Sequence, residues 1–187
     1  MKRSPDLFMR PGRAPLARRA GALLLCLAAF GCKAEAQGQA AAPADITPAS
    51  SVYKTELFNL VDPDGNQYGS LAGRQVSAAF DQLLGQAGQD PKLLRKRLLS
   101  GPAVQGALWR IGASHEWLYQ ICQANQCNVT NVAMFYDEQS HRAAGRLVYR
   151  CATQWLGNPG DTEKALIEKQ YPVSIDADDA AIFCKKK

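Results

Sequence analysis

The chain has 187 residues, 47% of them hydrophobic and 21% charged, with a formal net charge of +5 and a sequence pI of about 8.9. Residues 1–31 hold six basic residues and one acid, Asp6, and so carry the whole excess; residues 32–187 balance at 16 basic against 16 acidic. A neutral remainder argues against nucleic-acid binding, which the whole-chain pI would otherwise invite, and no segment is long and apolar enough to serve as a permanent membrane-spanning helix.

Lys2, Arg3, Arg10, Arg13, Arg18 and Arg19 precede an uncharged run, AGALLLCLAAFG, from Ala20 to Gly31. A basic n-region followed by a short apolar h-region is a secretory signal, so residues 1–31 read as a leader and the remainder as exported to a bacterial periplasm or envelope. Two cleavage sites compete. Ala34-Glu35-Ala36 suits ordinary signal peptidase, whereas Ala29-Phe30-Gly31-Cys32 resembles a lipobox whose cysteine, Cys32, would be lipidated. Removing Cys26 with the leader leaves five cysteines, and an odd thiol in an oxidising compartment needs an explanation. Lipidation of Cys32 supplies one, and would make the membrane a partner only through that anchor; cleavage after Ala36 removes Cys32 and supplies the other, leaving a soluble exported protein.

Residues 32–51, rich in Ala, Gln and Pro, are too poor in large apolar side chains to bury a core and are expected to form a flexible lead-in. Residues 52–187 suit one domain. Within it, Asp62-Pro63-Asp64-Gly65-Asn66 is turn-like, and Val76, Ala79, Phe80, Leu83 and Leu84 recur at helical spacing. Gly85 and Gly88 end that helix, and Asp90-Pro91 starts a second in the N-cap and N1 manner. Its Lys92, Arg95, Lys96 and Arg97 form either a solvated face or a patch for an anionic surface.

From Ala103 the pattern changes to short runs of β-branched and aromatic residues: ALWRI, EWLYQIC, CNVTNVAMFY and GRLVYRC, separated by turn residues. These predict an antiparallel meander of four strands. After Asn158-Pro159-Gly160, DTEKALIEKQY has an acidic first turn and helical spacing. The expected class is α+β, a central antiparallel sheet with helices packed on one side, the other face partly covered, and a disulfide-closed protruding hairpin loop.

That loop is Cys122-Gln123-Ala124-Asn125-Gln126-Cys127. Two cysteines flanking a four-residue connection can bridge the mouth of a hairpin. So small a ring contributes about 2 kcal/mol by chain entropy; its greater effect is to hold the loop in one shape, which removes ordering entropy when it docks. The alternatives are a staple without a target and a redox pair, but redox cysteines are normally C-x-x-C at a helix start. Cys151 and Cys184 remain as a second, structural pair worth about 4 kcal/mol. The two histidines, His115 and His141, stand in predicted turns without metal-ligand spacing. No nucleophile elbow, phosphate loop, dinucleotide fingerprint or paired catalytic carboxylates stand out, so the residues imply no catalytic centre, cofactor or metal. The sequon Asn128-Val129-Thr130 has no use behind a bacterial leader.

The helix with AAFDQLL, the strand ending Tyr119-Gln120-Ile121-Cys122, the four-residue loop to Cys127 and the following NVAMFYDEQSHRAAGRLV together resemble the Ivy family, inhibitors of vertebrate lysozyme in the bacterial periplasm. The resemblance covers roughly Leu71 to Tyr149. It implies an inhibitor rather than an enzyme, an α+β fold, frequent homodimerisation, and a disulfide-closed loop that enters the lysozyme cleft. The usual family loop is C-K-P-H-D-C, with its histidine on the catalytic carboxylates. Here Asn125 stands at that position, and Gln123, Ala124 and Gln126 replace the other three. A charge-assisted bond is worth about 1.5–3 kcal/mol and a neutral one about 0.5–1.5, so the exchange would weaken binding to c-type lysozyme roughly ten- to a hundredfold. The partner is then such a lysozyme, met by amide hydrogen bonds, or another glycan-cleaving enzyme such as an endogenous lytic transglycosylase. A structural envelope lipoprotein without an enzyme target is the alternative of a different class.

Overall fold

The computed structural model describes residues 41–184. The leader, Cys26, Cys32 and the first part of the lead-in lie outside the described residues. Six strands form one antiparallel sheet in sequence order: β1 (Ala44–Asp45), β2 (Ala103–Ile111), β3 (Ser114–Cys122), β4 (Thr130–Asp137), β5 (Ala143–Tyr149) and β6 (Ala152–Leu156). Helices α1 (Leu57–Val61), α2 (Leu71–Leu84) and α3 (Pro91–Leu98) precede β2, and α4 (Asp161–Gln170) and α5 (Ala177–Phe183) follow β6. The α+β class, the antiparallel meander and both disulfides are present.

Alternation along the central strands sorts side chains to two faces. Trp117, Tyr119, Ile121, Val132, Met134, Tyr136 and Leu147 turn one way and pack with Val76, Phe80, Leu83 and Leu84 of α2, Leu94 and Leu98 of α3, and the apolar side of α1. Phe80, Trp117, Tyr119 and Tyr136 are all fully or almost fully buried here. Leu118, Ala133 and Phe135 turn the other way and meet Leu166 and Ile167 of α4. Thus three helices cover one face, and α4 covers part of the second.

The helix starts follow the local chemistry. Ser70 Oγ accepts from Gly73 N at 2.9 Å to cap α2, and Asp90 Oδ1 accepts from Lys92 N and Leu93 N to cap α3 ahead of Pro91. Such caps satisfy orphan N–H groups at a helix start. Arg95 departs from the expected solvated face. Its guanidinium contacts Asp81 and Val61 O, donates to Ser77 Oγ at 2.9 Å and lies 5.5 Å from the Phe80 ring centroid. It therefore locks α3 to α2, leaving Lys92 and Lys96 as the exposed cations of the helix, with Arg97 half-buried.

Four other expectations change. The lead-in up to Ser51 is not free of structure: Ala44 and Asp45 pair with Arg110 and Trp109, and Ile46 N donates to Leu108 O at 2.8 Å, so the folded part begins before residue 52. The sheet has six strands rather than four, because Ala44–Asp45 add β1 beside β2 and ATQWL forms β6 against β5. β4 starts at Thr130 rather than at Cys127. His115 belongs to β3, opposite Arg110, rather than to a turn.

Candidate functional site

The sheet register decides what the first disulfide does. Across the β3–β4 hairpin the partner of Cys122 is Asn131, not Cys127, so the bond lies inside the connection instead of bridging facing strands. The connection runs from Gln123 to Val129 and folds back on itself: Gln126 N donates to Gln123 O at 3.0 Å, and Val129 N and Thr130 N both donate to Gln126 O, at 3.1 and 2.8 Å. The Cys122–Cys127 bond then ties the start of this turn to its end, with the Cα atoms 4.8 Å apart. Asn125 sits at the tip, exposed, with φ 57°. Asn is among the few residues that adopt the left-handed region at small cost, so its presence suits the bend as well as any contact.

The loop also has a floor. Ser100 Oγ, in the turn between α3 and β2, accepts from Ala124 N at 3.2 Å, and Cys122 N donates to Pro102 O at 3.2 Å. Gly101 lies directly beneath: a Cβ there would sit 2.3 Å from Cys122 O and 2.5 Å from Ala124 N. Any larger residue must displace backbone, so this close approach requires glycine.

The base is pinned by Asn128, Asn131 and the second disulfide, none of which the sequence ties to the loop. Asn131 Nδ2 donates to Cys127 O at 2.7 Å. Cys151 N donates to Val129 O at 3.1 Å, which joins the β5–β6 turn to the loop, and the Cys151–Cys184 disulfide carries the end of α5 to the same place. Asn128 Nδ2 then donates to Asp179 Oδ2 of α5 at 3.1 Å. Both disulfides therefore stand at one end of the sheet, around one loop. Of the predicted site residues, Cys122 to Cys127 form the loop and Cys151 and Cys184 buttress it, while Cys32 is outside the described residues. Ser100, Gly101, Asn128 and Asn131 complete the arrangement; only the glycine, two residues after a leucine pair, could have hinted at a close contact.

Chemically the loop is a neutral, amide-bearing turn without a titratable side chain, exposed at Asn125 and half-buried or buried on either side of it. It can donate and accept hydrogen bonds through Asn125, and nothing in it is suited to nucleophilic or acid–base work. Among the described residues, no group of three or more His, Cys, Asp or Glu could hold a metal ion, and no helix is long and apolar enough to cross a membrane.

The most strongly perturbed carboxyl group lies at the opposite end of the sheet. Glu116 of β3 and Glu163 of α4, each 6% exposed, converge on Arg142 in the β4–β5 turn. Arg142 donates to Glu163 Oε1 at 2.8 Å, while Glu116 Oε2 stays 3.8 Å from the guanidinium without a hydrogen bond. Burial, and then the neighbouring Glu163 charge, push the Glu116 carboxyl up to about 7. Burial pushes Glu163 the same way, but the hydrogen bonds from Arg142 and Gly160 N prevail and hold it below its ordinary value. This carboxylate pair, separated by dozens of residues in the chain, was invisible in the sequence. Its burial closes it to a ligand, and its contacts make it a clip between α4, β3 and the β4–β5 turn. Nearby, His141 shares hydrogen bonds with Tyr136 OH at 2.9 Å and Gln75 Nε2 at 3.1 Å, so it braces α2 against β4.

Compared with protein-family models, with curated proteins and with solved structures, the chain finds no match in any of the three.

Proposed function

We propose that the protein is an exported inhibitor of a lysozyme-type glycan-cleaving enzyme, acting by insertion of the Cys122–Cys127 loop into the target's cleft. The observation that carries this reading is the way the loop is held. A short neutral tip is closed by its own disulfide, seated on Ser100 and Gly101, and anchored at its base through Asn131 and Cys151. A catalytic loop would need reactive groups, and a mere connector would not need four independent supports. A projection fixed before binding loses little conformational freedom on docking, which is what occluding a cleft demands. The resemblance of the loop and its flanking strands to the Ivy pattern supports the same reading. Asn125 offers an amide where that pattern has an imidazole, and amides hydrogen-bond readily in a groove built for saccharides.

Lysis of peptidoglycan by c-type lysozyme, g-type lysozyme and lytic transglycosylases, measured with the purified protein, tests the proposal. Inhibition of at least one class is expected at about micromolar protein, and the double variant Cys122→Ser/Cys127→Ser should raise the inhibition constant at least tenfold while the fold persists. Absence of inhibition in all three classes would sink the proposal, and an unchanged constant in the double variant would sink the loop mechanism.

A further inference from the structure

On the sheet face covered by α4, the helix, β2 and the segment before β1 leave a cavity of about 510 Å³ between them. It lies away from the disulfide loop: Trp109 of β2 pairs with Glu116 near the opposite end of the sheet. The cavity is two-sided in character. Trp109, Leu166 and Pro43 supply an apolar wall, whereas Asp161, Thr162 and Lys169, all from α4, supply the polar groups. Positions 161, 162, 166 and 169 fall within an arc of about 140° on a 3.6-residue helix, so one helical face presents them together. Asp161 and Lys169 lie about 12 Å apart along that axis. The Asp161 carboxylate is fully exposed and meets only Lys164, at 3.3 Å, a solvent-screened pair that a ligand can replace.

We infer that this cavity is a binding site for a saccharide of one or two pyranose rings bearing an acyl substituent such as N-acetyl. The volume falls in the range of small-molecule sites. A pyranose has an apolar C–H face and a hydroxyl-bearing edge, matching an indole wall opposite a row of carboxylate, hydroxyl and ammonium groups. The acyl methyl suits the apolar corner at Leu166 and Pro43. Two other ligand classes fit less well. A peptide would need main-chain partners, but the Trp109 backbone is already paired with β1 on one side and β3 on the other. A purely aliphatic ligand would leave three polar side chains at the cavity unused. The site is separate from the loop and stands or falls independently of the inhibitory reading.

Titration of the purified protein with tri-N-acetylchitotriose, followed by calorimetry and tryptophan fluorescence, tests it; cellotriose, trialanine and hexanoate are the controls. The acetylated trisaccharide should bind saturably with a Kd of roughly 0.1–1 mM, as one aromatic wall and a few hydrogen bonds allow, and at least threefold more tightly than cellotriose. Trp109→Ala should weaken it at least tenfold and Trp109→Phe about threefold, since a smaller ring keeps part of the stacking surface. Ala165 lines the cavity from an exposed helix position, so Ala165→Arg should fill the cavity and abolish binding with the thermal midpoint preserved. That variant should leave enzyme inhibition unchanged, which separates failure of this site from failure of the loop. No saturable binding by about 10 mM trisaccharide, undiminished binding in Ala165→Arg, or equal binding of trialanine or hexanoate would overturn the inference.

Discussion

Gly101 shows how one residue outside the loop can govern it. A methyl group there would lie 2.3 Å from Cys122 O and 2.5 Å from Ala124 N, both backbone atoms that cannot rotate away. Gly101→Ala must therefore lift the loop from its floor or shift the α3–β2 turn, at a cost of about 1–3 kcal/mol in the manner of other overpacked sites. The expected outcome is a folded protein with a thermal midpoint lowered by several degrees and inhibition weakened at least tenfold; urea unfolding and lysis assays on the same preparation separate the two effects. Asn125 makes a different prediction. With no titratable side chain between Cys122 and Cys127, inhibition should not vary with pH between about 5 and 8 once the target's own profile is divided out. Asn125→His would introduce a group of ordinary pKa about 6.5. If its imidazolium meets a carboxylate in the target, its pKa rises on binding, so the added affinity is full at low pH and is lost as pH climbs through that raised value. A c-type lysozyme assay at pH 5.5 and 8.0 measures the difference.

At the scale of elements, the clip formed by Glu116, Glu163 and Arg142 gives α4 a pH-dependent hold on the sheet. Burial raises the Glu116 carboxyl from its ordinary 4.5 to about 7, so between those values the folded state binds more protons than the unfolded chain and stability falls as pH rises. Glu116→Gln keeps the shape and removes the charge. It should abolish most of that slope and stabilise the protein at pH 8 by an amount on the order of 2 kcal/mol, read as the difference in urea midpoints at pH 5 and pH 8. None of this was legible in the sequence, because Glu116 and Glu163 read there as ordinary polar positions of a strand and a first helical turn. The elements themselves were legible where burial imposes a period. α2 and α3 show helical spacing and caps, and β3 to β5 are dense in β-branched and aromatic residues because they are buried on both faces. β6 was missed because Ala152, Thr153 and Gln154 are exposed at the sheet edge and carry no apolar alternation. β1 has two residues, too few for any pattern, and α1 and α5 are short. The loop was identified by its cysteines, but its register was not, since spacing alone cannot show that Cys122 faces Asn131.

For the whole molecule, charge and covalent closure decide how the protein would meet a partner and how firmly it stays folded. The Cys151–Cys184 bond closes the largest ring among the described residues, with a sequence separation of 33. Chain entropy gives it about 4 kcal/mol, a large fraction of the stability of an ordinary domain. Cys151→Ser/Cys184→Ser should lower the urea midpoint accordingly, and it should also weaken inhibition, because Cys151 N anchors Val129 O at the base of the loop. The small Cys122–Cys127 ring should behave in the opposite proportion, with little change in midpoint and a large change in inhibition. The balance of 16 basic and 16 acidic residues over 32–187 makes a further demand on the kinetics. Without a net charge the domain cannot draw a cationic lysozyme from a distance, so association should proceed at roughly 10⁵–10⁶ M⁻¹s⁻¹, and affinity must come from slow dissociation of a preformed loop. Stopped-flow or biosensor measurements between about 50 and 500 mM salt should show an association rate that changes less than threefold, since screening weakens steering only where steering exists. A steep fall in that rate would mean that a local acidic surface, with α5 and its Asp178 and Asp179 beside the loop as the first place to look, guides the encounter despite the neutral total.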